Sequence, residues 1–302
     1  MSTRPDDTGS ENARASDEKP DEPEASRALD RLFDRQLRTS RNAYLRASRR
    51  AELVADALKG DERIAELTRA IGRLEAPVAI PREAQPTPGE LHTLSLVTTG
   101  TSDRLSFATP PYDVTWSTFQ PPGAAGTQAH APSVYPQQAS MFIDLIETYV
   151  DRPVAEGGWM YAGAGLGLWF KPKAPSTYVR VSGLVDYEYD WADSSSLQVA
   201  HNRAQLCVMV QHRRGPGDLE TILDTRDQLW ADGTSWYEDH SDSGGGYWPN
   251  QNYFWASSDD WYLVWFWMNG GIDFSTKDTF GSSKAYQSWH ARIPFLVFEQ
   301  WA

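Results

Sequence analysis

The chain has 302 residues, of which 40% are hydrophobic and 23% charged, so it can form the core of one large domain or two smaller ones. Its net charge is −13, and residues 87–302 carry 24 acidic against 12 basic side chains. An acidic main domain repels phosphate backbones, which predicts that the protein does not bind nucleic acid. The 13 tryptophans indicate an unusually aromatic domain.

A single cysteine, Cys207, excludes an internal disulfide, and its apolar neighbours predict a buried strand residue without thiol chemistry. The N-terminus lacks the apolar segment of a secretory signal peptide, and no stretch is long and apolar enough to span a membrane. The sequence therefore predicts a cytoplasmic protein, with export by a signal-independent route as the alternative.

Residues 1–25 contain no aromatic or branched apolar side chain and are predicted to form a disordered acidic tail. Residues 26–75 change to helical spacing, with Ser26 as the N-cap and apolar residues every three or four positions from Leu29 to Leu58. A second short helix is expected after Gly60. The apolar stripe is thin, so this helical arm should pack on the β domain or on copies of itself.

Arginines surround that stripe. They are Arg27, Arg31, Arg35, Arg38, Arg41, Arg46, Arg49 and Arg50. They are interpreted either as a solvated helix face or as a surface that docks on acidic groups, including those of the protein's own domain. A membrane-surface helix is less favoured, because the apolar side lacks tryptophan. The predicted partner is a protein, or a second copy of the chain, bound through residues 26–75.

A proline-rich linker is predicted at residues 76–90, and after it the hydrophobic period becomes two. Residues 91–302 are therefore expected to form one tryptophan-rich, antiparallel β-sandwich of jelly-roll-like type, making the protein mainly β. Residues 120–136 are predicted to be a long loop. Candidate strands are 141–150, 159–170, 178–191, 204–212, 261–269 and 286–299.

Residues 261–268 are apolar on both faces, which is typical of a central strand that is covered on both sides. The opposing sheet can cover one side. We expect the helical arm to cover the other.

The run at residues 186–191 alternates acids with aromatics, so a strand would place Asp186, Glu188 and Asp190 on one face. Carboxylates spaced in this way suit general acid and base roles. The run resembles the strand-borne carboxylate triplet of jelly-roll laminarinase-type glycoside hydrolases, and the resemblance implies cleavage of carbohydrate. The order there is Glu, Asp, Glu, so the shorter Asp stands here at both outer positions. A solvated strand face and a cation site are the other interpretations.

The segment from Trp230 to Trp255 combines aromatic residues with acids and glycines, which favours a loop with exposed rings. Flat rings beside carboxylates suit sugars, whose C–H faces stack on them. The predicted ligand site is Trp236, Tyr237, Asp239, Tyr247 and Trp248. The alternative is that these rings close the ends of the sandwich.

The remaining motifs predict neither a cofactor nor a metal site. Residues 163–168 resemble a dinucleotide fingerprint only in their glycines, and they favour close sheet packing instead. Residues 239–244 lack the spaced acids of an EF-hand, and the six histidines show no metal spacing.

These observations favour a non-catalytic binding or assembly protein, in which the sandwich engages a partner or ligand and the arm docks or oligomerises. A carbohydrate-binding or glycoside-hydrolysing sandwich that uses Asp186, Glu188 and Asp190 is the alternative. A structural component of a larger particle, such as a tail, fibre or shell, is the second alternative.

Overall fold

The computed structural model describes twelve stretches or single positions of the chain. They are residues 26–39, 42, 46, 49, 53, 105–120, 127–149, 158–195, 199–213, 219–235, 238–275 and 283–301. The predicted tail, the predicted linker and residues 54–75 of the predicted arm lie outside the described residues.

The described elements are one N-terminal helix, α1 (residues 26–39), and twelve strands. The strands are β1 (Leu105–Ala108), β2 (Val114–Gln120), β3 (Thr127–Tyr135), β4 (Ser140–Tyr149), β5 (Gly158–Phe170), β6 (Thr177–Ser195), β7 (Val199–Arg213), β8 (Glu220–Ser235), β9 (Glu238–Ala256), β10 (Trp261–Ser275), β11 (Ser283–Arg292) and β12 (Leu296–Trp301).

The strands form two antiparallel sheets. The seven-stranded sheet has the order β1-β12-β6-β11-β4-β3, with β9 also paired to β6, and the five-stranded sheet has the order β2-β5-β10-β7-β8. Strand β6 pairs with β9 along its whole length, while its other edge pairs first with β12 and then with β11. The predicted antiparallel β-sandwich is confirmed.

The main core lies between the sheets and follows the two-residue period of the strands. Val264, Phe266 and Met268 of β10 face it from one sheet, and Val179 and Val181 of β6 face it from the other. The intervening side chains point outward. These outward side chains form the two outer faces of the sandwich, one on each sheet.

Helix α1 covers the outer face of the five-stranded sheet. Leu29, Phe33 and Leu37 recur every four residues, so they lie on one side of the helix and are all buried. They join Trp265 and Trp267 of β10 in a second hydrophobic cluster. The prediction that the arm covers the second face of β10 is confirmed for the described helix.

The glycines of β5 make room for this cluster. A Cβ atom on Gly163 would lie 2.5 Å from the Trp116 ring, and one on Gly167 would lie 2.8 Å from the Trp265 ring. Because nonbonded carbon atoms do not approach so closely, a side chain at either position would push the ring away from the sheet. The interpretation of residues 163–168 as a close-packing segment is confirmed.

Two predictions of loop structure are wrong. Residues 127–135 form β3, and most of the segment from Trp230 to Trp255 belongs to β8 and β9. Among the described strands, β3 and β9 each pair with one neighbour only and so lie at an edge of the seven-stranded sheet. An edge strand tolerates the proline, glycine and serine residues that hid the strand pattern in the sequence.

Candidate functional site

The outer face of the seven-stranded sheet, called the open face below, carries the exposed aromatic side chains. Alternation along the strands and their register place six of them there. They are Phe107, Tyr135, Tyr178, Tyr247, Tyr253 and Trp255. Within the described residues, these are all of the aromatic side chains that are exposed. The large rings of the opposite outer face belong to the hydrophobic cluster that includes α1.

Four rings on the open face form an aromatic cluster, defined as Tyr178, Tyr253, Trp255 and Trp301. Strand register brings them together, because Tyr178 of β6 lies opposite Trp255 of β9 and opposite Trp301 of β12. The Tyr178 ring lies 5.7 Å from Tyr253 and 5.2 Å from Trp255, measured between centroids. Trp255 remains 69% exposed, so most of its ring is available to a ligand.

Polar groups border the aromatic cluster. Arg180 forms an ion pair with Glu299, and its guanidinium carbon lies 5.5 Å from the centre of the Trp301 ring. The Tyr253 hydroxyl donates a hydrogen bond of 3.3 Å to Oε1 of Gln251. Donors, acceptors and ring faces therefore occur within one surface.

The three acids of β6 also stand on the open face, as their alternation predicts, while Tyr187, Tyr189 and Trp191 pack towards the core. Asp186 and Glu188 each face a basic side chain of β11. Arg292 donates to Asp186 over 3.2 Å, and Nε2 of His290 lies 3.9 Å from Glu188. Burial of the imidazole lowers the pKa of His290.

The β9 residues beside two of the three acids are small, which leaves those two acids uncovered. Glu188 lies opposite Gly245, and Asp190 lies opposite Ser243. The side chain of Glu188 is 72% exposed. The row is thus an open, negatively charged strip that continues the aromatic cluster along β6.

The described residues of the predicted ligand site do not all lie on one surface. Tyr247 is on the open face opposite Asp186 and is 67% exposed, and Asp239 is exposed near the start of β9. Trp248 is instead buried in the core, where its indole donates a hydrogen bond of 2.6 Å to Asp227. Trp236 and Tyr237 lie outside the described residues. Adjacent strand residues point to opposite faces, so Tyr247 and Trp248 are separated.

Sequence reasoning missed the aromatic cluster. The available signal was the two-residue spacing of Tyr253 and Trp255, which places both rings on one face of a strand. The register that brings Tyr178 and Trp301 beside them is a long-range pairing of three strands. No local pattern in the chain contains that information.

A second polar group of residues lies between the sheets, at the end where β6 and β8 terminate. Asn202 connects three strands, since it donates to Asp193 over 3.2 Å and to the Tyr286 carbonyl over 2.7 Å, and accepts from Trp230 over 2.9 Å. Burial raises the pKa of Asp193 to about 8. A carboxyl that is protonated at neutral pH can donate as well as accept a hydrogen bond.

A related group lies at the same end, on the side of the five-stranded sheet that carries α1. Nδ1 of His201 lies 2.7 Å from Asp273, whose other oxygen accepts a hydrogen bond of 3.3 Å from the Tyr161 hydroxyl. Arg203 lies 3.6 Å from the same carboxylate. The hydrogen bond to Asp273 raises the pKa of His201. The four side chains hold one another and tie β5, β7 and β10 together.

Cys207 is fully buried beside α1, and burial raises the pKa of its thiol well above the usual value. The predicted strand position of this residue is confirmed. In the part of the chain that the structure describes, no group of three or more histidine, cysteine or acidic side chains is arranged to hold a metal ion. No helix among the described residues has the length and apolar character needed to cross a bilayer.

Fold and surface together define an antiparallel β-sandwich protein with one covered and one aromatic outer face. No model of a known protein family matches the chain, and no curated protein matches it. One similar solved structure, described as "CBM4 structure and function", is 12% identical and has a TM-score of 0.15, with 59% of this chain and 94% of that chain covered. Another, described as "Structure of infectious bursal disease virus Gx strain", is 7% identical and has a TM-score of 0.16, with 53% of this chain and 40% of that chain covered.

Proposed function

We propose that this chain is a non-catalytic binding protein whose ligand lies on the open face of the seven-stranded sheet. One observation carries the proposal: all exposed aromatic side chains of the described residues lie on the outer face that α1 does not cover. Tyrosine and tryptophan supply much contact area at little cost in conformational entropy. Their concentration on one face is therefore what a binding surface requires.

The row of acids supports binding better than hydrolysis. Active sites exclude water around their reacting groups and are usually concave. Glu188 is 72% exposed on a sheet surface, and Asp186 is held by Arg292. In this arrangement the acids select the ligand by charge and hydrogen bonding.

The arm has a stabilising role within the domain. Its buried residues Leu29, Phe33 and Leu37 already pack on the protein's own sheet. Self-association through residues 26–75 stays a prediction, and along the described helix it would use the exposed arginines, among them Arg35 and Arg38.

The test screens two broad classes of ligand at once. Biotinylated full-length protein is applied to an array of immobilised glycans and to a displayed library of random peptides, and every hit is measured again with Trp255→Ala. The matched control is Ile222→Ala, which removes an exposed side chain of β8, in the other sheet. We expect Trp255→Ala to weaken the hits by about tenfold and Ile222→Ala to retain them. Hits that are insensitive to Trp255→Ala, or no hits in either library, contradict the proposal.

A further inference from the structure

We infer that the ligand of the open face is an uncharged, extended glycan chain that lies along β6 and β9. The inference rests on the proposed function and names the chemistry of its ligand. Three properties of the surface lead to it: the kind of side chain that is exposed, the sign of the charge around it, and the length over which the aromatic rings are distributed.

The exposed groups match the two sides of a pyranose ring. Its axial C–H groups form an apolar patch that stacks on an aromatic ring, and its hydroxyls form hydrogen bonds at the periphery. Trp255 offers a large exposed ring, and Gln251, Arg180 and Glu299 offer acceptors and donors next to it. A purely apolar ligand would remove these polar groups from water without offering them hydrogen bonds of its own, which costs free energy.

The charge of the open face disfavours anionic chains. In β4, β6, β11 and β12, the described outward side chains include five acids and two arginines. The acids are Asp144, Asp186, Glu188, Asp190 and Glu299, and the arginines are Arg180 and Arg292. Both arginines are engaged by acids of the same face. Sulfated or uronate-rich polymers would meet net negative charge, whereas a neutral glycan meets only hydrogen-bonding groups.

The spacing of the rings indicates a chain and not a single sugar. Tyr247 and Trp255 stand on the same face of β9 and are 67% and 69% exposed. Eight residues of antiparallel strand separate them by about 27 Å, the length of a short oligosaccharide. The acids of β6 run beside this row, since Asp186 is opposite Tyr247. Tyr247 and Trp255 would each stack on one sugar near an end of the chain. The hydrogen-bonding groups between them would bind the sugars in the middle.

The experiment measures binding of soluble neutral oligosaccharides, from disaccharide to hexasaccharide, to the full-length protein by calorimetry. The series are β-glucan, xylan, mannan and starch fragments, and heparin and pectin fragments are the anionic comparison. Variants are Trp255→Ala, Tyr247→Ala and the control Ile222→Ala. We expect affinity to rise with length in one neutral series. Trp255→Ala should weaken every member by about tenfold, the effect of one lost stacked ring. Tyr247→Ala should weaken only the longest members.

The alternative outcomes separate this inference from the proposed function. Binding that depends on Trp255 but not on chain length or Tyr247 overturns the extended chain and leaves the binding face intact. Preference for heparin or pectin overturns the neutral ligand in the same way. A peptide that binds through Trp255, while all glycans fail, overturns the glycan and retains the function. Absence of any ligand that depends on Trp255 overturns both.

Discussion

The outer faces of both sheets carry tryptophan and tyrosine rings, but α1 covers only the face of the five-stranded sheet. On the five-stranded sheet, Trp116, Trp265 and Trp267 are at most 4% exposed because α1 lies over them. On the seven-stranded sheet, Trp255 is 69% exposed. Residue type alone therefore does not distinguish a core ring from a surface ring in this protein. What distinguishes them is whether the chain provides an element that covers the face.

The covered face is adapted to its helix in detail. Glycines of β5 lower the sheet surface beneath Trp116 and Phe33, and the Trp116 indole donates a hydrogen bond of 2.9 Å to Asp30 of α1. Gln36 donates to Gln205 and to Asn269 over 3.1 Å each. On the open face no described element lies over the exposed rings and acids. The two faces thus differ in cover.

The largest expected effect tests the covered face. Trp267→Ala removes a fully buried ring at the contact between α1 and β10, and should lower the free energy of unfolding by about 3–5 kcal/mol. The physical cause is lost burial together with the cavity that remains. Urea denaturation of the variant and the wild type measures the difference. A loss below about 1 kcal/mol would mean that α1 does not hold this face closed in solution.

A pH titration tests Asp193, a carboxyl that lies between the sheets and belongs to neither outer face. Burial raises the pKa of Asp193 to about 8, whereas an unfolded aspartate titrates near pH ~4. Between these values the folded state retains a proton that the unfolded state releases. This carboxyl therefore lowers the free energy of unfolding by about 1.4 kcal/mol per pH unit as pH rises from 4 to 8.

The variant Asp193→Asn isolates that contribution. Its amide oxygen can still accept from Asn202, as the carboxyl oxygen does over 3.2 Å, but it does not titrate. We expect the variant to have a flatter profile and to be more stable than the wild type at pH 8. Thermal melts between pH 5 and pH 9 measure both proteins. Parallel profiles for the two would show that Asp193 titrates normally in the folded state.

The sequence predicted the covered face better than the open one. A stripe repeating every three or four residues, a strand apolar on both faces and a glycine-rich strand are local patterns, and each follows from one segment. The same holds for the acids of β6, whose common face follows from alternation. The aromatic cluster depends on which strands become neighbours. Tyr178 meets Trp255 and Trp301, which are 77 and 123 residues away in sequence, through pairings that no local pattern contains.

A smaller effect is expected at the polar contact between α1 and the sheet. Asp30→Ala removes the acceptor of the Trp116 indole and should cost about 0.5–1.5 kcal/mol, the usual net contribution of a hydrogen bond. Urea denaturation measures the loss. Asp30→Asn is the matched control, because its amide oxygen can accept the same bond. Equal losses in the two variants would assign the effect to the charge of Asp30, and no loss in either would remove this contact from the stabilisation of α1.

The smallest expected change in stability is that of Trp255→Ala, and it decides whether the two faces differ in function. Trp255 lies on an edge strand with 69% of its surface exposed, so its removal leaves no cavity and gives up little burial. Its contact with the Tyr178 ring, at 5.2 Å between centroids, is the main interaction that is lost. Surface substitutions of this kind usually change the free energy of unfolding by less than about 0.5 kcal/mol. Measured by urea denaturation beside Trp267→Ala, this variant should therefore unfold like the wild type while binding the ligand about tenfold more weakly. A loss comparable to that of Trp267→Ala would make the aromatic cluster a structural element of the sheet. That result would contradict the proposal that the exposed rings of the open face serve to bind a ligand.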